Sequence, residues 1–471
     1  MLLVARGGGV RVLYVSPLKA LGADVERNLR RPLAGITAAA AGRGSPAVPV
    51  SVGVRSGDTP AAERRRLATR PPDILITTPE SLYLMLTSAV RETLRTVETV
   101  IVDEIHSFAG SKRGTHLAVS LERLDDLLGR PAQRIGLSAT VSPPEEVSRF
   151  LGGPHPVTII ADDGRATPQV TVAVPVENMA RIPAISDRRT RMERALAAPA
   201  SAGGGRGSRP SGLGRAGSSQ AWRSDKVLGR AMAAGRADGP GAGVPARVSA
   251  SIWPHLENAI LDQILTHRTT LVFVNSRGAC ERLTAHLNEA YAAHLGAAAP
   301  TPQVPVHRES WEMGTGSHTE PLAAGAPVIA KAHHGSVSKE QRLGVERELA
   351  AGELRCVVAT ASLELGIDIG SVDLVLQVAP PPSVAAGLQR VGRADHRVGG
   401  RPRGVIYPVE RTHLVDAVVA AEGMRAGAIE RTELVSNALD VLAQQTVAAV
   451  SVAEGLTAEA WFATVTRAAP Y

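Results

Sequence analysis

The chain has 471 residues, enough for two or three domains that each bury their own core. Hydrophobic residues make up 44% and aromatic residues only 3%, so aliphatic side chains must build that core. A net charge of +7 and a pI near 9.8 favour a polyanionic partner. No stretch approaches twenty apolar residues, and Cys280 and Cys356 cannot form a disulfide framework. We therefore expect a cytoplasmic protein without a membrane partner, and we exclude the membrane-spanning and disulfide-rich classes.

The first third of the chain alternates short Val/Ile/Leu runs with longer segments of helical pattern. The predicted strands are residues 12–15, 74–77, 100–103 and 135–138, and the predicted helices include 82–94 and 116–128. This alternation is typical of βαβ units and predicts a parallel sheet.

A second block of the same kind runs from about residue 252 to 409, with predicted strands at 271–274, 356–360, 374–378 and 405–409. Between the blocks, residues 186–251 are rich in Gly, Ala, Arg, Ser and Pro, which indicates a flexible basic linker. Residues 434–466 have helical spacing and resemble the start of a third domain. The predicted boundaries are an α/β domain at 1–160, a linker at 161–251, a second α/β domain at 252–415 and a helical domain from 416 to 471.

Two strand ends carry the most specific chemistry. Asp103 and Glu104 directly follow one apolar run, and a Ser-Ala-Thr sequence at 138–140 follows the next. ATP hydrolysis needs a divalent ion, an oriented water and positive charge opposite the γ-phosphate. Asp103 is suited to hold Mg²⁺, largely through water, and Glu104 to polarise the attacking water. A strand-end acidic pair can simply cap a helix, but the neighbouring hydroxyls favour an ATP site.

Positive charge for such a site lies far downstream, at Arg390, Arg393 and Arg397. An arginine cluster is usually a solvated surface, and only its combination with the acidic pair makes it a candidate for phosphate contact. Thr360 follows a predicted buried strand and suits a nucleic acid phosphate, while Asp368 suits a ribose hydroxyl. Gly366, between them, is equally compatible with an ordinary turn.

These segments occur in an order that resembles superfamily 2 helicases of the DEAD/DEAH type, and more closely the large helicase-related (Lhr) family. The matching segments are residues 16–21, 56–59, 78–82, 103–106, 138–140, 275–277, 333–336, 360–368 and 389–396. Residues 440–445 resemble the opening of the winged-helix domain of that family.

The resemblance implies two RecA-like parallel-sheet domains joined by a flexible linker, with ATP and Mg²⁺ in the cleft and a single strand crossing both domains. It adds His106, Gly366, Gln389 and Arg393 to the nucleotide site and gives Ser138 and Thr140 a coupling role. Its nucleic-acid contacts are Pro17, Lys19, Thr78, Ser81, Arg277, Ser336 and Thr360. It implies a DNA-stimulated ATPase that translocates 3′ to 5′ on single-stranded DNA or a DNA/RNA hybrid, in DNA repair.

The sequence departs from the family pattern in two places. No G-x-x-x-x-G-K-[ST] phosphate loop is present, and we expect its strand to leave a gap inside the first sheet. The chain is then a gene fragment, a degenerate paralogue that only binds or anneals nucleic acid, or a split motor completed by an upstream polypeptide. Asp395 stands where relatives carry a small residue, and it can pair with Arg393 or Arg397 or point to solvent.

Overall fold

The computed structural model describes residues 9–43, 50–161, 167–183, 251–295, 327–364, 370, 372–395 and 400–471. The chain divides into a large unit, Met1–Glu177 with His255–Tyr471, and a small unit, Asn178–Pro254. The elements that follow belong to the large unit, apart from the first two residues of one helix.

The first sheet contains five parallel strands in the order β2-β3-β1-β4-β5. They are β1 (Val12–Val15), β2 (Val52–Arg55), β3 (Ile74–Thr77), β4 (Thr99–Val102) and β5 (Gln133–Gly136). The helices of this domain are α1 (Lys19–Gly42), α2 (Ala61–Thr69), α3 (Pro79–Leu86), α4 (His106–Ala109), α5 (Lys112–Leu128) and α6 (Pro144–Gly152), with a 3-10 helix at Ala89–Leu94. Because all five strands are parallel, their carboxyl ends lie along one edge.

The structure confirms the four predicted strands of this domain and changes several details. The strand predicted at 135–138 begins and ends two residues earlier, so Ser138 lies beyond it. β2 was not predicted, because Gly53 interrupts its short apolar pattern. The expected gap inside the sheet is wrong for the described residues, where β2 to β5 pair without interruption. The open position is instead the outer edge of β5, where Ile135 is 37% and Leu137 44% exposed.

The predicted helix at 82–94 is two elements, α3 and the 3-10 helix, separated at Thr87 and Ser88. The start of α3 follows its sequence closely. Thr78 is the N-cap, and its side chain accepts a hydrogen bond from Ser81 N–H, while Pro79 occupies the first turn.

The second sheet has six parallel strands in the order β6-β11-β10-β7-β9-β8. They are β6 (Gln169–Val172), β7 (Thr270–Val274), β8 (Ala330–His333), β9 (Cys356–Ala359), β10 (Leu374–Val378) and β11 (Arg403–Tyr407). Its helices are α7 (Trp253–Thr266), α8 (Arg277–His294), α9 (Lys339–Ala351), α10 (Val384–Val391) and α11 (Thr412–Ala426), with a 3-10 helix at Ala361–Leu363. The predicted fold class of two parallel α/β sheets is confirmed.

The second domain extends beyond the predicted limits at both ends. β6 lies in the segment predicted as linker, and it pairs with β11 because Val170 fills a core position while Gln169 and Thr171 face outward. At the other end, α11 continues past residue 415 and places Ala421 and Met424 in the same core.

Two C-terminal helices, α12 (Leu439–Val450) and α13 (Ala458–Arg467), pack on α5 of the first domain. Gln445 is fully buried and accepts a hydrogen bond of 2.8 Å from Arg123 Nη1. Arg467 Nε donates to Glu122 Oε2 at 3.0 Å, and Ala468 belongs to the hydrophobic cluster of the first sheet. The segment predicted as a third domain therefore contributes to the first domain's core. Among the described helices, none combines the length and apolarity needed to cross a bilayer.

Replacing Gln445 with alanine tests this packing. The substitution removes the acceptor for the buried Arg123 guanidinium and the amide that donates to His116 O at 3.0 Å. We expect the free energy of unfolding in urea to fall by about 2 kcal/mol or more. The matched control is Gln444→Ala, an exposed glutamine on the same helix. Equal unfolding free energies for the two variants would contradict the assigned packing.

Candidate nucleotide and nucleic-acid site

The acidic pair lies at the carboxyl end of β4, where the chain turns sharply. Asp103 N–H donates to Val15 O of β1 at 2.9 Å, and Glu104 N–H donates to Asp103 Oδ1 at 2.9 Å. Glu104 has a φ of +47°, a left-handed conformation that is uncommon for a residue with a side chain. The turn therefore holds both carboxylates at the sheet edge under a specific backbone constraint.

Tyr14 supports Asp103, and the sequence analysis did not identify it. Burial, followed by the hydrogen bond and charge of Asp103, raises the pKa of Tyr14 far above its usual value. The phenol is thus protonated and donates to the carboxylate. Tyr14 lies on β1 opposite Ile101 of β4, so only knowledge of the strand register could have revealed the contact.

The donor set at this edge fits Mg²⁺. Among the described residues, no group of three or more His, Cys, Asp or Glu side chains could enclose a metal ion. Mg²⁺ does not need such a group, because it commonly binds through one or two carboxylates and completes its shell with water and substrate phosphates. Asp103, already oriented by Tyr14, is the residue that would hold it.

His106, the first residue of α4, has a defined tautomer. Its Nδ1 lies 2.8 Å from Ser138 Oγ, and its Nε2 lies 2.8 Å from Gln389 Nε2. An amide nitrogen can only donate, so His106 Nε2 must accept and the ring proton must sit on Nδ1. Burial lowers the pKa of His106 to about 4, in agreement with a neutral ring.

Gln389 joins the two domains directly. It belongs to α10 of the second domain, and its Nε2 donates to His106 and also to Thr140 Oγ1 at 2.8 Å in the first domain. One amide thus contacts the segment after β4 and the segment after β5. The structure brings His106, Ser138, Thr140 and Gln389, all predicted site residues, into one hydrogen-bonded group.

The predicted arginines bind partners within the second domain. Arg390 is 3% exposed, donates to Glu364 Oε1 at 2.6 Å and to Asn275 Oδ1 at 3.1 Å, and lies 5.2 Å from the Phe273 ring centroid. Arg393 Nη2 donates to Glu364 O at 2.8 Å. Sequence analysis assigned no role to Glu364, whose acidic character at the end of the 3-10 helix was the available signal. Arg397, Gly366 and Asp368 lie outside the described residues.

Asp395, the second departure from the family pattern, contacts the backbone. Its Oδ2 accepts a hydrogen bond of 3.1 Å from Arg401 N–H, and its φ is +48°. The carboxylate therefore connects the end of the segment after α10 to the backbone at Arg401.

The predicted nucleic-acid residues of the first domain differ in accessibility. Lys19 is exposed, and its Nζ lies 2.5 Å from Asp58 Oδ1. The hydroxyls of Thr78 and Ser81 are buried and lie 3.3 Å apart, and Pro17 is also buried. In this conformation Lys19 is the most accessible of these four side chains.

The corresponding residues of the second domain lie near the carboxyl ends of β7, β8 and β9. Arg277 Nη1 donates to Ser336 Oγ at 3.0 Å, and Thr360 N–H donates to His333 O at 3.3 Å. His333 Nδ1 lies 2.8 Å from Ser362 Oγ, so the segments after β8 and β9 are joined. Arg277, Ser336 and Thr360 therefore belong to a single sheet edge.

Comparison with protein families is consistent with this geometry. The DEAD/DEAH box helicase family matches residues 1–149, and the helicase conserved C-terminal domain matches residues 317–399. The winged helix domain of large helicase-related proteins matches residues 422–471. The Asp-Glu-Ile-His segment of the first sheet contacts the arginine-bearing helix of the second. Together with the family matches, this arrangement is that of the superfamily 2 helicases.

Relatives extend the match to nearly the whole chain. It is 50% identical to the Lhr helicase/uracil glycosylase of Escherichia coli over 461 residues, which is 98% of this chain and 26% of the relative. It is 36% identical to the ATP-dependent helicase Lhr-Core protein 2 of Thermococcus barophilus, over 92% of this chain and 40% of the relative. The chain belongs to the Lhr family.

A solved structure gives the same result. The structure of Mycobacterium smegmatis helicase Lhr bound to ssDNA and AMP-PNP is similar to this chain with a TM-score of 0.75 and 47% identity. The similarity covers 99% of this chain and 48% of that one. The chain thus spans about a quarter to a half of the length of these relatives.

The neutral state of His106 predicts a pH-dependent stability. The pKa in the folded state, about 4, lies below the usual value of 6.5, so the unfolded chain binds more protons between these values. The stabilisation is complete above pH 6.5 and is lost as the pH falls toward 4. Between pH 7 and 5.5 we expect a loss of about 1 kcal/mol that His106→Asn abolishes. Urea unfolding at both pH values measures it.

The control for this titration is His155→Asn, because His155 is exposed. This variant should keep the pH dependence of the parent chain. If His106→Asn and His155→Asn lose the same stability between the two pH values, His106 is not held neutral by the fold.

Proposed function

We propose that this chain is the motor portion of an Lhr-type helicase, which hydrolyses ATP and moves along single-stranded DNA. The observation that carries the proposal is the Gln389 amide, which donates to both His106 and Thr140. A contact between the acidic segment of one sheet and the arginine helix of the other is what an ATPase needs if nucleotide occupancy is to control domain closure.

The proposed roles of the site residues rest on their chemistry and on the family resemblance. Asp103 holds Mg²⁺, which supplies positive charge at the phosphates, and Glu104 orients the attacking water. In this proposal Arg390, Arg393 and Arg397 provide the cations opposite the γ-phosphate. The family resemblance adds Gly366 and Asp368 to the nucleotide site. Arg390 must exchange part of its contact with Glu364 to reach a phosphate.

The single DNA strand crosses both domains, and the protein contacts its backbone phosphates without recognising the base sequence. Lys19 and Arg277 contact phosphates in exchange for Asp58 and Ser336, their present partners. Pro17, Thr78 and Ser81 shape the grip of the first domain, and Ser336 and Thr360 that of the second. Ser138 and Thr140 transmit the state of the nucleotide site to these DNA contacts. Translocation from 3′ to 5′, action on DNA/RNA hybrids and a role in DNA repair are further parts of the proposal, supported by family resemblance.

A second candidate function is nucleic-acid binding or annealing without hydrolysis. The net charge of +7, which favours a polyanionic partner, is compatible with it. A third is a split motor, in which an upstream polypeptide supplies the G-x-x-x-x-G-K-[ST] phosphate loop. The outer edge of β5 supports this candidate, because no strand of the described residues pairs there and Ile135 and Leu137 are partly exposed.

Glu104→Gln tests hydrolysis. If Glu104 orients the water, the amide should lower single-strand-stimulated ATP turnover at least about 100-fold, because the general base is lost while the side chain keeps its size. Turnover of the purified chain is measured with and without single-stranded DNA. Glu145→Gln, at an exposed position in the first turn of α6, is the matched control and should equal the parent.

The same assay separates the three candidates. Parent turnover that Glu104→Gln abolishes supports the motor. A folded chain that binds DNA but never hydrolyses ATP supports the binding function. Hydrolysis that appears only on addition of a polypeptide carrying the missing loop supports the split motor.

Gln389→Glu tests the contact between the domains. A carboxylate cannot donate to His106 Nε2 and Thr140 Oγ1, and it adds negative charge near Glu104. We expect DNA-stimulated ATP turnover to fall roughly tenfold while single-strand affinity changes less than about twofold. Gln444→Glu, at an exposed position of α12, controls for the added charge. Normal stimulation in Gln389→Glu would show that the amide does not couple the domains.

A further inference from the structure

The helix that carries Gln389 is held at its first turn by Glu430, a residue beyond α11, the last helix of the second sheet's domain. Glu430 Oε1 accepts a hydrogen bond of 2.5 Å from Val384 N–H, and Oε2 accepts one of 3.1 Å from Ala385 N–H. Ser383, the N-cap, accepts from Ala386 N–H at 3.0 Å. The first three free amides of α10 therefore all have acceptors, and Glu430 serves two of them.

Glu430 lies on a connecting segment, residues 427–438, that runs from α11 to α12 without helix or strand. Partial burial acts to raise the pKa of its carboxyl, but hydrogen bonds from the backbone, including Val384 and Ala385, bring the pKa below its usual value. The side chain is thus a carboxylate, and its charge faces the positive end of the helix dipole.

The same segment is anchored to the first domain immediately afterwards. Thr432 N–H donates to Ser142 O at 2.6 Å, and Ser142 lies two residues beyond Thr140. Farther along, Val435 O accepts from Thr115 Oγ1 at 2.8 Å. The connecting segment therefore contacts α10 and the segment after β5, the two elements that Gln389 joins.

These contacts form a closed ring. It runs from Glu430 to the start of α10, through Gln389 to Thr140, along the chain to Ser142, and back through Thr432. The two residue-to-residue steps from Glu430 to Thr432 span at most about 7 Å. The Glu430–Thr432 connection thereby links the start of α10 to the Thr140 segment by a second route, separate from the Gln389 amide.

We propose that Glu430 is a positioning residue of the ATP site, which holds α10 so that Gln389 meets His106 and Thr140. The proposal rests on the proposed motor function, because the position of Gln389 matters for turnover only if the chain hydrolyses ATP. α10 has eight residues, too few to be stable alone, so its external cap controls its first turn.

The test compares Glu430→Gln with Glu433→Gln in the full chain. Glu433 lies on the same segment, is exposed, and has no side-chain hydrogen bond to any part of the chain that the structure describes. Glutamine at 430 keeps the size but loses the charge and one of the two acceptor oxygens. Neither position is buried, so both variants should fold, and thermal melting verifies this.

Three measurements locate the effect. In Glu430→Gln, hydrogen exchange of the amides at 384–386 should be roughly fivefold faster. The NMR titration of the His106 imidazole should shift to higher pH, because a loosened contact with Gln389 leaves the ring less buried. The kcat of DNA-stimulated ATP hydrolysis should fall roughly fivefold, with the Kd for single-stranded DNA unchanged. Glu433→Gln should match the parent in all three, and Glu430→Asp should recover less than half of the kcat because its carboxylate is shorter.

The outcomes are separable. Unchanged exchange at 384–386 overturns the cap, and faster exchange with an unchanged His106 titration overturns the positioning role. Faster exchange and a shifted titration with normal kcat also overturn it, since α10 would then move without effect on catalysis. If the parent chain hydrolyses no ATP, the motor function fails by itself, and exchange together with the His106 titration still decides whether Glu430 positions Gln389.

Discussion

Parallel strand pairing is the constraint on which the site depends. Every strand of each sheet runs in the same direction, so the segments that follow the strands collect along one edge. In the first domain this edge carries Asp103, Glu104 and Thr140, and in the second it carries Thr360. Side chains far apart in sequence are thus placed by rigid backbone hydrogen bonds, and loops only refine their positions.

One of the two hydrogen bonds that Gln389 makes between the two edges depends on the protonation of a single ring. Gln389 can donate to His106 only while His106 Nε2 is unprotonated, and burial of the ring maintains that state. The same burial requires the cleft to stay closed at this point. Domain contact and ring neutrality therefore support each other, and each would weaken if the other were lost.

Much of the fold could be predicted because its central strands are continuous apolar runs. β7 and β10 have every residue buried, and such runs have few alternative structures. The strands that were missed are short and contain residues atypical of strands, such as Gly53 in β2 and Lys331 in β8. Tertiary pairing, not local preference, makes these segments strands.

The candidate site was predictable in its residues but not in their partners. A strand end identifies Asp103 and Glu104, and a family pattern identifies Gln389. No pattern along the chain reveals that Tyr14 donates to Asp103 or that Glu364 binds Arg390, because those contacts depend on register and on loops from different strands. Ser138 and Thr140, the two predicted coupling residues, also lie outside β5, although the strand was expected to contain Ser138.

The packing of the last helices has a consequence for synthesis on the ribosome. Ala468 belongs to the same cluster as Val10, and Arg467 pairs with the buried Glu122. The five described strands of the first sheet are therefore synthesised before the residues that cover one surface of α5. The second α/β domain is translated before that surface is closed, so of these two domains the one that is made earlier is completed later.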